Sequence, residues 1–92
     1  MELLTEDEIV GRLGGVPGWS RQGSSIVTTV TQSDFRGALL FTGAVAYVAE
    51  QANHHPDILI EWNKVTLTLS THSAGGLTAA DFDLAAKISA LS

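Results

Sequence analysis

Residues 57–72 read DILIEWNKVTLTLSTH and carry the strongest fold signal in the chain. Two apolar runs of strand length lie on either side of Asn63–Lys64, and this spacing predicts a β-hairpin with a two-residue turn. The turn pairs apolar side chains of the two runs on one face, because side chains alternate along a strand. A slip of one residue would bury threonines instead, so the register is well specified. The predicted pairs are Trp62 with Val65, Ile60 with Leu67 and Ile58 with Leu69.

All three histidines of the chain lie at the base of this predicted hairpin. Continued two steps, the same register places His72 opposite His55, at a Cβ separation of about 5 Å. His54 precedes His55 in the chain, and Glu50, four residues earlier, shares its side of the preceding helix end. Pro56 ends that helix and favours an extended conformation at the residue before it. The sequence therefore predicts one pocket that contains a carboxylate and three imidazoles.

The remaining segments predict three helices and a second hairpin, from their apolar spacing and capping signals. Strand pairs separated by helices, without parallel crossovers, indicate a single α+β domain over residues 1–92, with a four-stranded antiparallel sheet and three helices on one face. The first predicted element is a short helix in TEDEIVGRL with a Thr5–Glu8 capping box, and a hairpin in WSRQGSSIVTTVTQ with its turn at Gly23 follows it. A long helix then runs from a cap at Ser33 or Asp34 to about Ala52. The histidine hairpin comes next, and a final helix runs from Thr78 through Leu91.

The long predicted helix has one apolar stripe and two internal glycines. Gly37 and Gly43 each cost about 1 kcal/mol relative to Ala inside a helix. We therefore expect them to allow close approach of a strand or another helix. The stripe comprises Ala38, Phe41, Val45, Val48 and Ala52, with Phe35, Leu39 and Ala46 beside it.

Composition excludes several functional classes. The chain has 92 residues and a net charge of −5, with five Lys and Arg against ten Asp and Glu. It has no basic run of the kind that binds nucleic acid, and its lack of cysteine excludes disulfides, thiolate metal sites and a cysteine nucleophile. The acidic N-terminus lacks the features of a signal peptide, and the most apolar stretch, residues 38–49, is shorter than a membrane helix. We expect a soluble, cytoplasmic protein without membrane or direct nucleic-acid contacts.

Three imidazoles beside a carboxylate suit general acid/base catalysis, because imidazole titrates near neutral pH. A serine nucleophile is disfavoured, since no nucleophile elbow surrounds Ser70 or Ser73. His54, His72 and Glu50 have the donor types of a catalytic zinc site, but the zinc motifs HExxH and CxxC are absent. The other alternative is that the histidines only occupy helix and strand ends, and their concentration at one junction argues against it.

The motif E-x-x-x-H-H-P at residues 50–56, followed by an aromatic with N-K-V and then by L-S-T-H, resembles the pterin-4a-carbinolamine dehydratases. These proteins are also known as dimerisation cofactors of a homeodomain transcription factor. The likeness extends to GWS at Trp19, DF at Asp34–Phe35 and GLTxxD at residues 76–81. It implies four antiparallel strands with helices on one face, and assembly into homodimers or homotetramers through helices and sheet edges.

The resemblance also implies an activity. It implies dehydration of 4a-hydroxytetrahydrobiopterin to quinonoid dihydropterin, which recycles the pterin product of aromatic amino acid hydroxylases. No metal or organic cofactor is implied. The alternative is a scaffold that binds a partner protein, with little or no catalysis.

Site residues follow from the resemblance by position. It implies that His54 and His72 transfer protons, that His55 orients the pterin with a share in acid/base catalysis, and that Glu50 hydrogen-bonds a histidine. From the residues alone, Trp19 is more typical of a core aromatic and Asp81 of a helix start. The animal members have Asp where this chain has Asn53 and Arg where it has Ala80, so pterin affinity is expected to differ. The further predicted substrate-binding residues are Asn53, Pro56, Ser70, Thr71, Asp81 and Trp19.

Overall fold

The computed structural model describes residues 2–91, and their element order is the predicted one. Within these residues the chain forms three α-helices, four β-strands and a short 3-10 helix. The α+β fold class is thereby confirmed. The helices are α1 (Glu6–Leu13), α2 (Phe35–Ala52) and α3 (Ala79–Ser89), the strands are β1 (Ser20–Gln22), β2 (Ser25–Thr31), β3 (Asp57–Glu61) and β4 (Lys64–Leu69), and the 3-10 helix is His72–Ala74.

The four strands form one antiparallel sheet in the order β1-β2-β4-β3. Directly paired residues share a face, and Ile26, Val65 and Leu67 turn to the helical side, where they are fully buried. The helix α2 packs against α3 and also against β3 and β4. The core consequently lies between the helices and one face of the sheet.

Side-chain caps fix the start of each α-helix. The Glu8 amide donates to the Thr5 hydroxyl at 3.2 Å, and the Thr5 amide donates to the Glu8 carboxylate at 2.8 Å, which completes the predicted capping box. Asp34 caps α2 by accepting from a first-turn amide at 2.7 Å. Thr78 and Asp81 form a second capping box at α3. Local signals thus set all three helix starts.

The predicted turn of the β3–β4 hairpin is wrong by one residue. The turn consists of Trp62 and Asn63, because Glu61 pairs with Lys64. The register therefore moves by two residues, and a shift of two leaves each side chain on its predicted face. The observed pairs include Ile60 with Val65 and Ile58 with Leu67.

A contact with a third strand explains where this turn forms. The Asn63 side-chain amide donates to the Gln32 carbonyl at 3.0 Å, and the Gln32 amide donates to the Asn63 carbonyl at 2.8 Å. Asn63 is therefore held at the end of β2, and Trp62 precedes it with a positive φ of 52°. Such a φ is unusual for a bulky residue, so tertiary contact outweighs local preference here.

The helix α2 buries three residues of the predicted stripe, leaves Val48 and Ala52 half-buried against the core, and exposes the opposite side. Ala38, Phe41 and Val45 are buried, whereas the flanking Phe35 and Leu39 are 50% and 46% exposed.

Within residues 2–91, no helix combines the length and apolar character needed to cross a membrane.

The two glycines of α2 have different surroundings. A Cβ at Gly37 would meet the Gln32 and Asp34 side chains at 3.2 Å, so local side chains rather than a strand or helix approach it. A Cβ at Gly43 would meet nothing within 4 Å. The predicted close approach of a strand or helix at Gly43 is therefore wrong within the part of the chain that the structure describes.

Candidate active site

Asp81 is the centre of the candidate site. Its side chain is fully buried in the first turn of α3, where it accepts from the Thr78 amide at 2.9 Å. The same carboxylate accepts from His54 Nε2 at 2.6 Å and from the Thr71 hydroxyl at 2.8 Å. Three segments that are distant in sequence therefore meet at one carboxylate: the end of α2, the end of β4 and the start of α3.

Asn53 turns the chain at the end of α2 so that His54 reaches this carboxylate. It has left-handed dihedral angles, φ 49° and ψ 42°, which Asn tolerates better than most residues. The His54 amide then donates to the Ala49 carbonyl at 3.1 Å, as in a Schellman motif. The His54 side chain is 15% exposed, so its ring is largely enclosed but accessible. The observed role of Asn53 is to end the helix, and its contact with substrate stays a prediction.

The hydrogen bonds fix where the protons lie. A carboxylate only accepts, so His54 Nε2 carries the proton in its bond to Asp81, and in the neutral form of the imidazole the lone pair is then on Nδ1. The Thr71 hydroxyl has one proton, which it donates to Asp81. In its 2.8 Å contact with Thr71, the Thr78 hydroxyl must therefore be the donor. The result is a one-way chain of donors, from Thr78 through Thr71 to Asp81.

His55 has a carboxylate partner of its own. Its Nε2 donates to the Glu50 carboxylate at 2.5 Å, one helical turn back along the chain. Both side chains are well exposed, 56% for His55 and 76% for Glu50. The predicted hydrogen bond between Glu50 and a histidine is present, and the two adjacent imidazoles use different carboxylates.

His72 lies on a short loop that backbone hydrogen bonds close at its base. The Thr71 amide donates to the Gly76 carbonyl at 2.9 Å, and the Gly76 amide donates back to the Thr71 carbonyl at 3.3 Å. Gly75 turns the loop with a φ of 81°, a conformation that favours glycine. His72 itself is exposed. The loop therefore ties His72 to the buried network through its neighbour Thr71.

The predicted cross-strand pairing of His72 with His55 is wrong. The strand β4 ends at Leu69, and His72 begins the 3-10 helix. Because the register is shifted by two residues, its continuation would set Ser70 opposite His55. The three histidines thus come to this end of the fold through a loop and a helix end, and not through strand pairing.

The other predicted residues occupy more than one place. The Ser70 hydroxyl donates to the Ser24 carbonyl at 2.8 Å, and Pro56 is half-buried just before β3. Trp19 is buried, and its indole N–H donates to the Ser89 hydroxyl at 3.1 Å. Ser89 lies eight residues beyond Asp81 on α3, a rise of about 12 Å. The structure therefore does not bring Trp19 to the histidines, and its role in binding stays a prediction.

A cavity of about 500 Å³ lies beside Trp19, at the far end of α3 from the His54–Asp81 pair. The cavity is lined by residues 17–19 and 28–31 with Ile88 and Ser89.

Within residues 2–91, no three His, Asp or Glu side chains are arranged to hold a metal ion.

Comparison with known proteins decides the family. The model of the pterin 4 alpha carbinolamine dehydratase family matches residues 2–91. The chain belongs to this family. A protein of Roseiflexus castenholzii, assigned by name to the pterin-4-alpha-carbinolamine dehydratases, is 57% identical over 86 residues, which cover 94% of this chain and 92% of that protein. A protein of Nocardia farcinica assigned in the same way is 50% identical over 90 residues, 98% of this chain and 95% of that protein.

A solved structure extends the likeness to three dimensions. The crystal structure of a transcriptional coactivator/pterin dehydratase from Brucella melitensis superposes with a TM-score of 0.91 at 34% identity, and covers 96% of each chain. Membership of the pterin-4a-carbinolamine dehydratase family, predicted from the His-His-Pro and Ser-Thr-His motifs, is therefore confirmed.

Thr78 is the member of the network that sequence reasoning did not assign to the site. Its place three residues before Asp81 predicts the capping box, and the box is present. Its hydroxyl contact with Thr71 joins residues seven apart across a loop, and no local pattern indicates it. In this pterin-4a-carbinolamine dehydratase family member, a helix cap and the candidate site thus share atoms.

Proposed function

We propose that this chain is a 4a-hydroxytetrahydrobiopterin dehydratase that uses histidine general acid/base catalysis in tetrahydrobiopterin recycling. The bond from His54 Nε2 to the buried Asp81 carboxylate carries the proposal, because it leaves Nδ1 of neutral His54 with a lone pair. Family membership over residues 2–91 supports the substrate class. The names of the two bacterial relatives support the reaction.

Dehydration needs one proton to leave a ring nitrogen and one to join the departing hydroxyl. In the proposed step a base takes the proton of the ring N–H group. The electron pair of that N–H bond forms the C=N bond, and the C–O bond breaks. An acid donates a proton to the hydroxyl, which leaves as water. The net change is the loss of one water, without oxidation or reduction. Two imidazoles in different protonation states are sufficient for this chemistry.

We assign the base to His54 and the acid to His72. Asp81 fixes the His54 ring with its proton on Nε2, and Nδ1 is then the proton acceptor. The His72 ring is exposed and hydrogen-bonds no residue within the described chain, so it is open to a substrate hydroxyl. His55 is held by Glu50 and is assigned to orienting the pterin. Exchange of protons with solvent restores both catalytic imidazoles after each turnover.

The pterin edge carries N–H donors and carbonyl acceptors, and it needs partners of both kinds. The chain segments around the candidate site provide amides, carbonyls and hydroxyls. Proposed contacts are those of Asn53, Pro56, Ser70 and Thr71.

Stopped-flow measurement of carbinolamine dehydration tests the proposal. We expect His54→Ala and His72→Ala each to lower the rate by about 10²-fold or more, the contribution typical of a general acid or base. Gln51→Ala is the matched control, because Gln51 is an exposed residue of the same helix end as His54. Circular dichroism checks that each variant is folded. Equal rates for the wild type and both histidine variants would refute the catalytic assignment.

One observation favours a second function. The Brucella melitensis relative is described as both a transcriptional coactivator and a pterin dehydratase. A scaffold that assists a partner protein is therefore the alternative for this chain. Dehydration rates that do not respond to loss of His54 or His72 would favour the scaffold.

A further inference from the structure

His72 depends on its backbone for its position. Its side chain is exposed, and within the described chain no residue hydrogen-bonds the ring. The backbone that carries it is the His72 loop, residues 71–76, which the paired amides and carbonyls of Thr71 and Gly76 close at the base. The contacts at the base of this loop therefore decide where the imidazole lies.

Leu3 and Leu4, which precede α1, lie across the base of the His72 loop, and we call them the N-terminal strap. The Leu4 amide donates to the carbonyl of Leu77, the residue that follows the loop, at 2.9 Å. The Leu3 side chain lies on Gly76 itself, because a Cβ at Gly76 would be 3.1 Å from Leu3 Cδ2. The strap thus contacts the base of the loop through one backbone hydrogen bond and one side chain.

Close approach explains why residue 76 is a glycine. Gly76 is buried, and its φ lies outside the left-handed region that Gly75 occupies, so its backbone conformation does not require glycine. A Cβ at this position would be 3.1 Å from the Leu3 side chain and 4.0 Å from Ser24 Cβ. A methyl group at position 76 would therefore displace Leu3, the nearer of the two.

The N-terminal strap is fixed from the side of α1. Thr5 caps this helix, and Leu4 and Ile9 have the N′ and N4 spacing of a hydrophobic staple, which sets the angle at which a chain enters a helix. Ile9 belongs to the core, and Leu4 is partly buried against the core. Leu3 itself is 54% exposed, so its replacement removes the contact with the loop at little cost to the core.

We infer that Leu3 is a positioning residue: by packing on Gly76 it holds the His72 loop in the place from which His72 donates its proton. This inference rests on the proposed function, because that function assigns the acid to His72. Leu3 acts indirectly, since it fixes the loop and the loop fixes the imidazole. An acid out of place transfers its proton more slowly, and a displacement of about 1 Å can cost on the order of 10²-fold in rate.

Leu3→Ala is the first test. We expect kcat for dehydration to fall by about 10-fold with KM nearly unchanged, because the acid is displaced while the other proposed pterin contacts are kept. Exchange of the Thr71 and Gly76 amides with solvent, followed by NMR, should become about 10-fold faster, because the base of the loop opens more often. Leu3→Met keeps an apolar side chain of similar volume and should restore both quantities. Val10→Ala is the matched control, since Val10 is an exposed apolar residue of α1.

Gly76→Ala tests the same contact from the other side. Its methyl group displaces Leu3, so kcat should again fall by about 10-fold. When Leu3→Ala is added, Cδ2 is gone and the methyl group has room. The double variant should therefore lose about 10-fold in kcat, rather than the roughly 100-fold of two independent effects. Gly11→Ala is the matched control, because a Cβ at Gly11 would meet nothing within 4 Å.

Amide exchange separates this inference from the proposed function. Unchanged exchange at Thr71 and Gly76 in Leu3→Ala, an effect on KM rather than on kcat, or losses that multiply in the double variant would each overturn the inference. A wild type without dehydratase activity would refute the proposed function. Exchange is measured without substrate, so it would still decide whether Leu3 holds the loop. Urea unfolding checks that each variant is folded.

Discussion

Replacing Asp81 by Asn tests whether the buried carboxylate sets the tautomer of His54. Asn keeps the shape of Asp but has one oxygen and one NH₂ group. The oxygen can still accept from the Thr71 hydroxyl and the Thr78 amide, which lie 2.8 and 2.9 Å from Oδ2. The NH₂ group then takes the place of Oδ1, which lies 2.6 Å from His54 Nε2. Two donors would face each other, so we expect the imidazole to move its proton to Nδ1.

The predicted losses in rate and in stability differ in size. A proton on Nδ1 removes the proposed proton acceptor, so the dehydration rate should fall by about 10²-fold or more. The capping bonds of Asp81 survive, and one charged hydrogen bond is weakened, which costs about 1–2 kcal/mol in the free energy of unfolding. Asp81→Ala removes the shared acceptor of the hydrogen bonds from His54, Thr71 and the Thr78 amide, and should cost about 3–5 kcal/mol.

Three measurements separate these effects. Nitrogen NMR of the imidazole reports the tautomer, stopped-flow absorbance gives the rate, and urea unfolding gives the stability. Asp83→Asn is the matched control, because Asp83 also lies on α3, its side chain is 69% exposed, and its contact with Arg12 is long at 4.0 Å. The control should match the wild type in all three. An Asp81→Asn protein that keeps the proton on Nε2 of His54 and the wild-type rate would refute the reasoning.

Three further predictions concern stability and are measured by urea unfolding. Thr71→Val removes a buried hydroxyl that both donates and accepts, and should cost about 1–3 kcal/mol, whereas Thr71→Ser keeps the hydroxyl and should cost less; equal losses would contradict the donor chain. Gly75→Ala should destabilise the fold by about 1–2 kcal/mol, because the φ of Gly75 is 81°. Gly43→Ala should stabilise it by up to about 1 kcal/mol, because a Cβ there has open space and alanine is the better helix former. Changes in unfolding free energy of the same sign for both variants would contradict this. A hydrogen bond and the charge of Arg21 lower the pKa of Glu6, so the pair stabilises the fold above the usual pKa of Glu and loses this effect as pH falls through the lowered value. Glu6→Gln should therefore be less stable than the wild type at pH 7 and equal to it in acid, and a difference that persists in acid would exclude this cause.

Helix positions were predictable because their signals are local. The capping box of Thr5 and Glu8 needs only four consecutive residues, and it forms as predicted. The same holds for Asp34 at α2 and for the Thr78–Asp81 box at α3. Each helix start depends on side chains that bond amides within one turn, so no knowledge of the rest of the fold is required.

The hairpin register was not predictable in the same way. The sequence Asn63–Lys64 suits a two-residue turn, but Asn63 bonds Gln32 at the end of β2 and moves the turn back to Trp62. That bond joins residues thirty-one apart, and no local pattern reports it. The apolar face was nevertheless predicted correctly, because the register shift is two residues, which is the period of a strand. Face, but not register, was therefore fixed by the hydrophobic pattern.

The buried carboxylate shows why the site could be predicted only in part. The sequence identifies Asp81 as a helix start, and this reading is confirmed by its bond to the Thr78 amide. The same geometry has a second consequence. Because Oδ2 accepts from the cap amide and from the Thr71 hydroxyl, Oδ1 is left to accept from His54. The fold's own hydrogen bonds thus orient the imidazole, which is the preorganisation that the proposed role of His54 as proton acceptor would need. In Asp81, Oδ2 has the capping role that local spacing predicts. Oδ1 has the contact with His54, which only the tertiary fold creates.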